Sequence, residues 1–233
     1  PIRLAAAQQE IARPNPPVEV SCQGRLHIDL LRFIASFEQQ VEVRRERPEG
    51  PYDQLDCNEL SVHFGAVDER GLLMDLGDDP NVARKQSQAA GKLRPISLVA
   101  TGSPVRADAP VEGASMRGQN LQIDLLKQRI AIHGGQEVLL TYGANRIHAP
   151  FIEYTIPPKE STAAVGDLAL SGPGWLRAVP DEARPDRVID IVWQEVPQVP
   201  YPVQLRRERG QPVLLLQGNP VIDAHRLGRV KAD

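Results

Sequence analysis

Two aspartates occupy the same place in two copies of one phrase. Asp29 lies in "GRLHIDLLRFIASFEQQVEV" (24–43) and Asp124 in "GQNLQIDLLKQRIAIHGGQEVLL" (118–140). A pair of carboxylates could hydrolyse a glycosidic bond, one as acid and one as base or nucleophile. The competing reading is that each Asp closes a turn, accepting hydrogen bonds from backbone just beyond it. A repeat accounts for both occurrences at once, and that favours the turn. The five histidines, His27, His63, His133, His148 and His225, include no pair with the close spacing of a zinc site. His27, His63 and His148 fall in the polar phase of alternating stretches, which reads as solvated strand. Asp78 and Asp79 could hold calcium, but no further ligands follow them, so they read as loop acids. There is no GxSxG elbow, and "GPGWL" (172–176) is a turn and not a phosphate loop. The sequence thus predicts no enzyme, no metal site and no cofactor.

The elements that carry these residues are strands. Glycine (18) and proline (21) punctuate the chain at short intervals, and nearly every segment between them alternates apolar with polar. "VEVSC", "LHIDLL", "FIASFEQQVEVRR" and "LDCNELSVHF" read as successive strands. They are followed, after a break, by "ISLVATG", "VRAD", "ASMRGQNLQIDLL", "RIAIHGG", "EVLLTY" and "RIHAPFIEYTI". The pattern predicts an all-β sandwich, barrel, jelly roll or solenoid with very little helix. The expected organisation is an N-terminal segment at 1–17 ("PIRLAAAQQEIA", a short possible helix, then "RPNPP"), a first repeat at 18–76 and a connecting loop at 77–95. A second repeat follows at 96–157, and a third, degenerate and truncated, at 158–233.

Composition narrows the function classes. Lysine and arginine number 27 against 30 acids, a net charge of −3, which is no footprint of a nucleic-acid binder. No run approaches the roughly 18 apolar residues that span a bilayer as a helix. The first residue is Pro1, so the chain reads as mature or trimmed. Cys22 and Cys57 could pair in an oxidising compartment, or Cys57, at an inward position, could be a buried free thiol.

What remains is an aliphatic face. One set comprises Leu26, Ile28, Leu30, Val41, Val43, Leu60, Val62 and Phe64. Its counterpart comprises Leu121, Ile123, Leu125, Ile130, Ile132, Val138, Leu140, Ile152 and Tyr154. Either these fill an ordinary core, or two walls stand apart and leave a trough for acyl chains. A supersecondary unit repeated in this way must stack on or clasp its copies to bury that face.

Residues 98–155 carry a further signal. Thr101-Gly102-Ser103-Pro104-Val105, Gly118 through Asp124, Ile130-Ala131-Ile132-His133-Gly134 and Ile147 to Tyr154 follow one another in a recognisable order. Gly24 to Asp29, Val41 to Val43 and Leu55 to Phe64 match more loosely upstream. This pattern resembles the OstA-like domains of the lipopolysaccharide transport bridge, the LptA and LptC type. The resemblance implies a V-shaped antiparallel β jelly roll that cradles lipid A acyl chains, located in the periplasm. It implies lipopolysaccharide or another amphipathic lipid as ligand. Other OstA-like or Lpt proteins would be partners through edge strands, with head-to-tail oligomers. The lipid-lining residues would be Ile28, Leu30, Val41, Val43, Ile123, Leu125, Ile130, Ile132, Val138, Leu140, Ile147, Ile152 and Tyr154. Lys127 and Arg129, near the repeat's turn, could meet lipid phosphates, although solvated surface is their plainer role. The long 77–95 segment and the region of Trp175 and Trp193 depart from the family's phrase. The alternatives are a β-scaffold that joins partners through its edges without lipid, and a polysaccharide-active solenoid using Asp29 and Asp124.

Overall fold

The computed structural model describes residues 18–47, 50–66, 93–157, 166–180, 183–208, 211–225 and 228–232. The N-terminal segment 1–17 and all of the 77–95 loop except 93–95 lie outside them.

Six long strands form the centre: β3 (Ile34–Arg45), β4 (Asp53–Ala66), β5 (Leu93–Ala109), β6 (Ala114–Asp124), β7 (Arg129–Tyr142) and β8 (Asn145–Thr155). They pair antiparallel in sequence order, each with the next. All five pairings lose register at the same level, between Glu38/Val41, Asp56/Glu59, Thr101/Val105, Arg117/Asn120 and His133/Val138. Extra residues of this kind bend a strand and interrupt its ladder locally. Aligned across six strands, they crease the whole sheet into two walls.

The short strands extend each wall. β2 (Leu26–Asp29), β9 (Asp167–Ser171), β12 (Val203–Glu208) and β13 (Gln211–Leu216) continue the first wall. β1 (Val18–Ser21), β10 (Gly174–Ala178), β11 (Ile189–Trp193), β14 (Val221–Ala224) and β15 (Gly228–Lys231) continue the second. The described strands form one antiparallel sheet, and the all-β, two-walled architecture expected from the sequence is what forms. Apart from strands, one single-turn 3-10 helix occurs among the described residues, at Pro110–Glu112.

Apolar ladders run across both walls because directly opposed residues share a face. On the first wall, one row reads Phe37, Leu60, Ala100, Leu121, Ile132, Ile152, Leu170, Val203. On the second, Val43, Leu55, Ala107, Met116, Leu140, Ile147, Leu176, Ile191 and Ile222 do the same. The residues nearest the crease, Val41, Val105, Val138, Ile132 and Ile152, are buried and form one cluster fed from both walls. The crease requires a close approach at Gly118, where an added Cβ would lie 2.9 Å from Ile132 Cγ2 and 3.0 Å from the His133 carbonyl oxygen.

Two mergers of strands depart from the sequence reading. "ISLVATG" and "VRAD" are a single strand, β5, and "RIAIHGG" and "EVLLTY" are a single strand, β7. The bend between their halves breaks the alternation but not the pairing. The stretch 166–179 divides where "GPGWL" reads as a turn: Gly172, at φ 66°, takes the chain from β9 on one wall to β10 on the other. Trp193, buried, closes that junction with its Nε1–H donating to the Gly172 carbonyl at 2.7 Å.

Depth below the rim should set the cost of truncation. Ile152→Ala, at a fully buried position, is expected to lose about 2–5 kcal/mol of unfolding free energy in urea. Leu31→Ala, at a turn, should change it by no more than about 0.5 kcal/mol.

Candidate functional site

Away from the crease the walls part and leave an apolar cavity of about 320 Å³. The first wall contributes Leu121, Ile123, Ile130, Ile132, Ile152 and Tyr154, the inward phase of β6, β7 and β8. The second contributes Val43, Leu55, Met116 and Leu140, together with Ala107, Ala109 and Ala114. The alanines explain the void. Ala107 opposes Met116 and Ala109 opposes Ala114 across β5 and β6, so small side chains sit where aliphatic bulk would have closed the gap. Charged groups and amides gather on the second wall's side of the lining, at Arg45, Asp53, Gln54, Asp108 and Ser115, while the Tyr154 hydroxyl of the first wall accepts from the Gly166 N–H at 3.2 Å. There Arg47 bonds both Asp53, at 2.7 Å, and Glu112. Asp53 Oδ1 is buried and makes no hydrogen bond.

Seven of the residues expected to line a trough are in this cavity: Val43, Ile123, Ile130, Ile132, Leu140, Ile152 and Tyr154. The other six stand elsewhere. Val41 and Val138 are buried at the crease, and Ile147 packs against the core on the second wall. Ile28 is exposed on β2, a strand at the sheet edge, and Leu30 and Leu125 are exposed at hairpin turns. The sequence reading passed over the alanines because it counted only large aliphatics. The available signal was phase, since Ala107, Ala109, Ala114 and Met116 keep the same alternation as their bulky neighbours.

Asp29 and Asp124 do the same local work. Asp29 Oδ1 accepts from the Leu31 and Arg32 backbone N–H groups at 2.9 and 3.0 Å, and Asp124 Oδ1 from those of Leu126 and Lys127 at 3.1 and 2.9 Å. Hydrogen bonds from the Arg32 and Leu31 N–H groups hold the Asp29 carboxyl below its usual range. Four residues after each Asp the backbone turns left-handed, at Phe33 (φ 55°) and Gln128 (φ 51°). The carbonyls of those two residues then accept from the N–H of Phe64 on β4 and of Ile156 just beyond β8.

The other titratable residues are dispersed. Among the described residues no three His, Cys, Asp or Glu side chains gather to hold a metal. His148, expected to be solvated, stacks on Trp175 with ring centroids 5.7 Å apart, and its Nδ1 is buried without a hydrogen-bond partner. On the outer face of the second wall, Arg177 grips Asp190 at 2.7 and 3.0 Å. With His225 it holds that carboxyl below its ordinary value. Cys22 and Cys57 are free thiols on either side of β3 and share a polar cleft at the crease, of about 1070 Å³, with Asn58, Ser103 and Arg106. That cleft is the larger opening, but it lacks converging side chains of one kind. The apolar cavity, with two ladders meeting in it, is the better defined site.

Burial pushes the Cys57 thiol up to about 11, so it stays protonated and unreactive at neutral and mildly alkaline pH. At pH 8 iodoacetamide should label Cys22, which is half-buried. Cys57 should be labelled only as the pH nears 11 or after unfolding, as mass spectrometry of tryptic peptides would read.

No protein-family model matches the chain, and no curated protein matches it. Among solved structures it is similar to LptH of Pseudomonas aeruginosa, described as the LptA homologous periplasmic component of the conserved lipopolysaccharide transport device. Identity is 13%, the match covers 67% of this chain and 96% of that one, and the TM-score is 0.39.

Proposed function

We propose that the protein binds the acyl chains of an amphipathic lipid between its walls and hands that lipid on without chemical change. The observation that carries this reading is the cavity. Its floor is aliphatic on both sides and its charge is confined to one rim, so it suits a molecule with an apolar tail and an ionic head. Each methylene moved from water into such a site contributes about 0.8 kcal/mol, so a chain of a dozen carbons offers roughly 10 kcal/mol. Lipopolysaccharide is the ligand we favour, in the periplasm and in outer-membrane assembly. The support for that choice is the Leu-x-Ile-Asp-Leu-Leu phrase and its resemblance to OstA-like domains. In the same reading, domains of this kind are partners through the sheet edges, where among the described residues β1, β2, β13 and β15 each have one unpaired side.

Those open edges also favour a second reading, a β-scaffold that assembles edge to edge and binds no lipid. One experiment separates the two. A photo-crosslinking amino acid at Ile123, in the cavity, is compared with one at Gln122, which is exposed on the opposite face. Irradiation with lipopolysaccharide should give an adduct at Ile123 and not at Gln122. Ala107→Leu, which fills the cavity from the second wall, should weaken binding about tenfold, or 1.4 kcal/mol, without lowering Tm. A folded protein with no adduct at Ile123 would leave the scaffold reading standing.

A further inference from the structure

We propose that the two hairpin tips of the first wall, Leu30-Leu31-Arg32 and Leu125-Leu126-Lys127, dock on an anionic lipid bilayer. The choice of a lipid partner rests on the cavity reading above; the tips themselves are a separate observation. Leu31 is 87% exposed and Leu30 75%, at a turn where one Asp already satisfies the backbone. Leu125 and Leu126 are exposed at the second turn. Nothing in the fold requires leucine at these places, yet the chain sets a Leu-Leu pair and then a cation in both.

Both tips lie on one lip. β3 and β6 are three strand spacings apart in the first wall, about 14 Å. Each turn follows the inward strand half whose outer end is the rim. Their chemistry is matched as well as their place. Asp29 and Asp124 are drawn onto backbone N–H groups. Arg32 and Lys127 touch them only loosely, at 3.9 and 3.7 Å, with side chains 80% and 71% exposed. Each tip therefore presents leucines with a largely exposed cation beside them. That pairing complements acyl chains beneath a layer of phosphates, since leucine enters the hydrocarbon margin and the cation stays among headgroups.

Continuity with the cavity argues for a bilayer over a protein socket. Leu125 stands two residues beyond Ile123 on β6, and Ile123 opposes Ile130 across the hairpin. With the tip seated in a leaflet, an acyl chain would pass from hydrocarbon to Ile123 along leucine, with little exposure to water. The lip would then be the loading edge of the cavity.

The test is flotation with two kinds of vesicle, phosphatidylcholine alone and phosphatidylcholine mixed with phosphatidylglycerol. The wild type should float with the mixed vesicles. Leu31→Ser with Leu126→Ser should weaken that binding about tenfold or more. Arg32→Gln with Lys127→Gln should remove the preference for the anionic lipid. Leu139→Ser, exposed on the outer face of the second wall, should change nothing. Tip variants that keep the Ile123 adduct with detergent-dispersed lipopolysaccharide would place the loss at the lip and not in the cavity. Failure of the wild type to float with either vesicle would overturn the proposal, as would equal loss in Leu139→Ser. A tip variant that instead shifts the sedimentation mass would overturn it in favour of contact between copies. Flotation without an Ile123 adduct would uphold the lip and remove the cavity reading.

Discussion

Everything in this molecule depends on keeping the backbone hydrogen bonds of one sheet intact while creasing it into two walls that share one core. A sandwich made of two separate sheets needs only side chains to hold them together. Here β3 to β8 each belong to both walls, so the peptide groups at the bend must find partners or remain near solvent. The solution is to place irregular residues at one level in every pairing. Consecutive left-handed residues Gln39 and Gln40 serve β3, and the close contact at Gly118 serves β6. The irregularities also reset the two-residue alternation where needed. On β8, Ile147 and Ala149 face inward before the bend, and Ile152 and Tyr154 after it. Without that change of phase, one half of the strand would carry its apolar residues to solvent.

The same geometry makes core and cavity two depths of one surface. At the crease the walls are close enough for Val41, Val105 and Val138 to be filled space. Further out, β5 and β6 offer alanines where bulk would fill the gap, and the two walls enclose the cavity between them. An aliphatic residue is therefore core or lining according to its distance from the bend, and its type does not decide. Stability rests on the inner rows, which frees the outer rows from any need to close. That separation is what lets an apolar surface remain open without dissolving the fold.

Much of this was legible in the sequence. Strict alternation announced strands, and Leu-x-Ile-Asp-Leu-Leu announced a hairpin whose Asp caps its own turn. Two things were not legible. The first was that "ISLVATG" and "VRAD" are one strand, because a bulge and a turn both interrupt alternation and only the partner strand tells them apart. The second was depth. Ile28, Leu30, Ile123 and Ile132 share one phase and one hydrophobicity. Yet the first two are exposed at an edge and a tip, Ile123 lines the cavity while half-buried, and Ile132 lines its deep end fully buried beside the crease. Periodicity reports which face a residue takes, but not how far along that face the opposite wall still reaches.

The open ends follow from the crease as well. A flat sheet of many strands could curl into a barrel and pair its edges, but this creased one keeps, among the described residues, two edges at each end, β1 with β2 and β13 with β15. These ends are not equally guarded. β13 carries Pro212, which cannot donate to a neighbouring ladder, and β15 carries Arg229 and Lys231, both exposed. β2 offers exposed Leu26 and Ile28 instead, and β1 exposed Val18. Charge and proline raise the cost of adding a strand at the described C-terminal edges, and the exposed aliphatics of β1 and β2 lower it at the N-terminal ones, so the two ends differ in how readily they would pair.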